Sequence, residues 1–184
     1  MKGEDLLYKT FRDALKKVSS EKNIAVADEI LNYISQVLAL YYRGLPLYLI
    51  DVVESTPFRV YKTKGDVALL LVGLFTEWIN RTNRPLKEQD YINAGKLNYY
   101  NAYMYLNLNF GDVLQQEFEK LSPYQEPSQV LMGHIDIFRD ISSNFEKYAY
   151  LLKEYREENR QISHLFDMFN ELRQQYLQRF LEDF

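Results

Sequence analysis

Cysteine is absent from this chain of 184 residues. That excludes a disulfide framework, a thiolate nucleophile and a Cys-rich zinc site, and it points to a reducing, cytoplasmic setting. Glycine and proline are scarce, at seven and five residues. The alternation of apolar and polar residues that marks a half-buried strand is hard to find anywhere. No apolar run reaches the roughly 20 residues that cross a bilayer. The start, Met1-Lys2-Gly3-Glu4-Asp5, leads into a charged helical pattern rather than an apolar signal core. Basic charge is not massed either: 22 Lys and Arg stand against 26 Asp and Glu, for a formal net charge of −4. An acidic chain without a basic face is a poor partner for nucleic acid.

What remains is a strongly helical pattern. With 47% hydrophobic and 26% charged residues, the composition is globular, and a chain of this size needs no covalent staple. Apolar residues recur at three- and four-residue steps at Leu7, Phe11, Ala14, Leu15 and Val18, before a break at Ser19-Ser20. A second helix is expected from Ile24 to Tyr42, ended by Gly44 and Pro46, with a short helix from Pro46 to Val53 closed off by Pro57. Val67 to Ile79 is apolar nearly all round and reads as a buried helix, with Asp66 as its cap. A further helix over Lys87–Leu106 sets Ala94, Gly95 and Ala102 on a small face, and Asp112 caps a short helix through Leu121. Past a linker at Ser122–Pro127, Ser128 caps a helix running to Leu152. A last helix carries Ile162, Leu165, Phe166, Phe169, Leu172, Tyr176, Leu177 and Phe180. The expectation is one all-α domain over residues 1–184, with a sub-boundary at 122–128. It is a bundle of six to eight helices around the buried apolar helix, on which the Ser128–Phe180 pair folds as a hairpin.

Chemistry-bearing motifs are few. His134 falls on the apolar face of its helix, which fits a core histidine hydrogen-bonded to a carbonyl or hydroxyl; a pocket residue is the sharper reading. His164, one turn from Asp167, fits a solvated face. There is no Glu-x-x-His pair, no His-Glu-x-x-His motif and no Gly-x-Ser-x-Gly elbow. The stretch Lys62-Thr63-Lys64-Gly65-Asp66 lacks the spacing of a phosphate loop. No metal and no cofactor is therefore implied. Tyrosine is the unusual residue, with 16 copies clustered at 41–42, 99–105 and 148–155, as suits half-buried seams, pockets and partner surfaces. Gly73 and Gly95 lie inside predicted helices, where each costs about 1 kcal/mol relative to alanine. Close helix approach or a ligand slot would offset that.

The run Gly65-Asp66-Val67-Ala68-Leu69-Leu70-Leu71-Val72-Gly73-Leu74-Phe75-Thr76-Glu77, followed by Arg81 and by Tyr91-Ile92-Asn93-Ala94-Gly95-Lys96 with Tyr99, covers about a fifth of the chain. It resembles a family of uncharacterised bacterial helical proteins in which Gly-Asp-x-x-Leu-x-x-x-Gly-x-Phe precedes Tyr-Ile/Val-x-x-Gly. Leu74-Phe75-Thr76 stands where that pattern has Phe-Phe or Phe-Pro. The resemblance implies a helical fold and brings no activity, substrate or catalytic residue with it.

Two functions follow as expectations. The first is a non-enzymatic binding or assembly module, a homodimer or a partner for another protein, working through aromatic-rich helical surfaces. The alternative is a small-molecule site, sensory or enzymatic, between the central helices and lined by Trp78, Tyr99, Tyr103 and His134. Attachment to a membrane surface is the weakest reading, because neither terminal helix carries a sustained basic face.

Overall fold

The computed structural model describes residues 2–42, 56–80, 85–117 and 127–159, with the backbone alone at residues 2–5, Trp78 and Pro127. It is a helical bundle with a buried core, and no strand occurs among the described residues. Helix α1 spans Lys2–Glu21 and α2 spans Asp28–Tyr42. Pro57–Leu74 forms α3, followed by the single turn α4, Thr76–Ile79. Glu88–Leu108 is α5 and Phe110–Glu117 is α6. Pro127–Ser143 and Phe145–Glu158 are α7 and α8.

Helix α3 is the axis of the bundle. Every residue from Gly65 to Leu74 is buried, because α5 covers one side of it and α8 another. The helix begins ten residues earlier than the apolar run suggests, so Pro57 opens it rather than closing the segment before it. Proline suits that first position, where an amide donor would have no partner, and Val60 N–H already closes on the Thr56 carbonyl at 3.1 Å. Asp66 is therefore not a cap but lies in the middle of the helix. The helix ends at Leu74, short of Ile79. Phe75 leaves the helical region, at φ −120° and ψ 31°, and the Arg156 guanidinium on α8 donates to the Leu74 carbonyl, satisfying one acceptor that a helix end leaves open.

Other boundaries shift for local reasons. Helix α1 passes through Ser19-Ser20, because Ser19 Oγ turns inward onto the Lys16 carbonyl at 2.8 Å. It stops where Asn23 takes φ 54°. Ile24 N–H then reaches back to the Ser19 carbonyl at 2.9 Å and Asn23 N–H to Ser20 at 3.4 Å, the paired closure of a left-handed helix stop. Residues 24–27 carry no regular secondary structure, and α2 starts at Asp28 with two acids in its first turn. The predicted helix from Ser128 to Leu152 is interrupted at Asn144, whose side-chain amide donates to the Asp140 carboxylate at 2.8 Å and to the Asp140 carbonyl at 3.3 Å. Ser128 lies inside α7 and Asp112 inside α6, so neither is a cap.

The short helix after Pro46, most of the linker at 122–127 and the last helix with His164 lie outside the described residues. The second member of the expected hairpin lies there too. Its first member, α7 continued by α8, packs on α5 and α3. Among the described residues no helix is long and apolar enough to cross a membrane.

The internal glycines mark where helices touch. A Cβ on Gly73 would stand 2.5 Å from Cβ of Leu152, and one on Gly95 would stand 2.3 Å from the Phe145 ring and 3.1 Å from Ala68. Both glycines seat side chains of α8, and Gly95 also brings α5 close to α3.

Candidate functional site

One charged side chain is carried into the core by register. Asp66 follows Lys62 by one turn on α3 and precedes eight consecutive buried residues, and its own exposure is 1%. An isolated buried carboxylate would be very costly, but this one is surrounded by donors. Tyr33 of α2 donates its hydroxyl to Oδ1 at 2.5 Å and Tyr99 of α5 donates to the same oxygen at 2.7 Å. The Lys62 ammonium holds Oδ2 at 2.7 Å and lies 5.2 Å from the centre of the Tyr33 ring. Burial first, and the adjoining carboxylate second, push both phenols well above the ordinary tyrosine range. They stay protonated and act as donors. Three helices are thus tied to one side chain.

Beside this network lies a cavity of about 250 Å³. Helix α3 forms its floor with Phe58, Arg59, Lys62, Thr63 and Asp66; α2 adds Leu40 and Tyr41, α6 adds Glu117, and α7 adds Leu131 and His134. Arg59 grips Glu117 through two hydrogen bonds, Nε to Oε1 at 2.6 Å and Nη2 to Oε2 at 2.9 Å, the planar fork geometry of a strong ion pair. The four charged side chains among the described residues of the wall therefore engage one another in pairs.

His134 differs from them. Its ring lies 6.2 Å from Tyr33 and 5.6 Å from Phe138, and among the described residues none is hydrogen-bonded to either ring nitrogen. Burial, reinforced by the Lys62 charge, lowers its pKa to about 4, while Asp66 and Glu117 pull the other way. The imidazole is neutral near pH 7 and offers the cavity one donor and one acceptor.

Of the four residues expected to line a pocket, His134 lines the cavity and Tyr99 does not, though the two share a neighbour. Tyr99 and His134 share Phe138, whose ring lies 6.1 Å from Tyr99, and both contact Tyr33. Tyr103 stands elsewhere, 6.0 Å from the ring of Tyr100, and is not part of the cavity wall. The Trp78 side chain lies outside the described residues. Asp66 reads from sequence as a cap and Lys62 as part of a stretch unlike a phosphate loop, while Tyr33 and the Arg59–Glu117 pair carry no sequence expectation. One signal was available for the first two: an acid at the head of an all-round apolar run with a lysine one turn before it, a spacing at which the two side chains meet. Tyr33 and Glu117 gave none, since only the tertiary fold brings them to α3.

Among the described residues no group of three or more His, Asp or Glu side chains could hold a metal ion. No protein-family model, curated protein or solved structure matches the chain.

Proposed function

We propose that this chain is a small-molecule-binding protein whose site is the cavity between α2, α3, α6 and α7. The observation that carries the reading is His134: among the described residues its imidazole has no hydrogen-bond partner, and it faces a cavity of about 250 Å³ in which Arg59 pairs with Glu117 and Lys62 with Asp66. A mostly apolar cavity with a few convergent polar groups is the usual form of such sites. The role is binding rather than catalysis, because both Asp66 oxygens accept hydrogen bonds within the protein and so do both Glu117 oxygens. The lack of cysteine supports a cytoplasmic setting.

The test is native mass spectrometry of protein purified from its own cells, intact and then denatured, beside a Leu131→Trp variant that fills the cavity. A stoichiometric mass lost on denaturation and missing from the variant is the expected result. A bare chain in both preparations, or a mass indifferent to Leu131→Trp, would overturn the reading.

A second reading, self-association, has its own observation. Leu97, Tyr100 and Leu108 of α5 are 58%, 48% and 72% exposed. With the half-buried Met104 they form one stripe at three- and four-residue steps. No charged residue occurs from Leu97 to Leu108, so a second copy laid along this stripe meets no like charge. The stripe is about 17 Å long and falls short of a standard interface of roughly 1,600 Å², so the dimer should depend on concentration. Sedimentation of the wild type against a Leu97→Glu/Leu108→Glu variant tests it; identical monomers at all concentrations would exclude this surface.

A further inference from the structure

We propose, resting on the cavity reading above, that the ligand is a small carboxylic acid bound as its monoanion, with one proton taken up by His134 on binding. Among the described residues Arg59 pairs with Glu117 and Lys62 with Asp66, and a neutral His134 adds no charge to that part of the wall. A ligand bringing one uncompensated charge into this half-buried space would meet a large desolvation cost. The described part of the wall can change its own charge readily in one direction only. His134 can gain a proton, whereas Arg59 and Lys62 are already cationic and both carboxylates are engaged by strong donors.

The groups facing His134 bear this out element by element. Helix α2 presents Tyr33 and Tyr41, α3 presents Arg59, Lys62 and Asp66, and α6 presents Glu117; Tyr99 of α5 reaches it through the shared Phe138 ring. The two buried phenols that hold Asp66 stay protonated. Burial and the Lys62 ammonium keep His134 deprotonated near neutral pH. An anion seated between Lys62 and His134 reverses that balance, since it screens the ammonium and attracts the imidazolium. Among the described residues a cation would find no compensating group.

Size and lining define the rest of the molecule. A cavity of about 250 Å³ holds roughly eight waters at about 30 Å³ each, room for a small aromatic or branched-chain acid. Leu40, Phe58 and Leu131 offer the apolar wall that such a body would bury. Inorganic phosphate has no apolar body, and near neutral pH its second ionisation brings a further charge.

The experiment is titration calorimetry of the full chain with benzoate, benzamide and inorganic phosphate, at about pH 5.5 and about pH 7.5 in buffers of different ionisation enthalpy, which counts the protons taken up. Benzoate should bind at least tenfold tighter at the lower pH, with close to one proton absorbed per molecule. Benzamide and phosphate should bind at least tenfold more weakly. His134→Gln should abolish proton uptake while leaving weaker benzoate binding, and the wild-type proton count stands even if that variant folds poorly. Benzamide binding as tightly as benzoate would sink the carboxylate inference and leave the cavity reading standing. So would benzoate binding with no proton uptake, or phosphate matching benzoate. If none of the three binds, the carboxylate inference fails alone when Leu131→Trp still removes a native mass, and together with the cavity reading when it does not.

Discussion

The ring of Tyr99 lies against Gly65: a Cβ at position 65 would stand 3.0 Å from Cγ and Cδ1 of that ring and 3.1 Å from Cδ2. The same ring is fixed at its other end by the 2.7 Å hydrogen bond from its hydroxyl to Asp66. Gly65 and Asp66 act together, the first giving the ring its seat and the second receiving its proton donor. Gly65→Ala should therefore destabilise the protein by about 1–2 kcal/mol, overpacking outweighing the helix preference of alanine. In Tyr99→Phe the ring can slide, so Gly65→Ala should cost less in that background. Urea denaturation of the four-membered mutant cycle measures both effects, and strict additivity would show the ring and the glycine to be uncoupled.

The glycines should divide into two classes on replacement by alanine. A Cβ at Gly95 would meet the Phe145 ring at 2.3 Å, whereas nothing lies within 4 Å of one at Gly133. Gly95→Ala should cost about 2–3 kcal/mol by forcing α5 away from α8. Gly133→Ala, inside α7, should stabilise by about 0.5–1 kcal/mol by stiffening the unfolded chain and improving helix propensity. Thermal denaturation of the two variants checks the sign of each.

Much of the fold was legible because helical periodicity and buried runs are local signals. The apolar faces of α1 and α2, and the burial of residues 67–74, follow from spacing alone. What misled at Gly65-Asp66 was also local: glycine and aspartate before an apolar run are punctuation by propensity, and only the Tyr99 ring and the Tyr33 hydroxyl make that pair belong inside a helix. The split at Asn144 rests on a side chain competing with its own backbone. The cavity was least legible, since its polar lining comes from residues as far apart as Arg59 and Glu117, and no spacing rule connects them. His134 could be singled out as an imidazole on an apolar face, but its neighbours could not.

Removing the Asp66 carboxylate should cost far more than removing any one of its donors. Asp66→Ala leaves two buried hydroxyls and the Lys62 ammonium without their acceptor, a loss of about 3–5 kcal/mol. Tyr33→Phe deletes one donor and leaves the carboxylate with Tyr99 and Lys62, so about 1–2 kcal/mol is expected. Asp66→Asn should fall between them, because its amide must turn its donor hydrogens either on Lys62 or on the two phenols, leaving one side of the network without an acceptor. Equilibrium denaturation gives the order Ala, Asn, Phe; equal losses for Asp66→Ala and Tyr33→Phe would mean that the network is not shared.

Acid should weaken the fold through His134 before it reaches the carboxylates. The unfolded chain takes up a proton on this residue near its ordinary pKa of 6.5, whereas the folded protein does so only at about 4. Between these values the unfolded state holds more protons, so stability falls as pH drops from about 6.5 to about 4 and is level above that window. The full effect is roughly 3 kcal/mol, since each pH unit of the shift corresponds to about 1.4 kcal/mol. Carboxylates in ion pairs contribute lower down: the hydrogen bond from Lys153 holds the Glu88 carboxyl below its usual range, and its contribution is lost only as pH falls through that lower range. Stability of the wild type minus that of His134→Gln, measured by urea at successive pH values, should therefore decline between about pH 6.5 and 5 while Glu88 remains ionised in both proteins. A difference that is flat across this interval would place the imidazole in water rather than in the cavity wall.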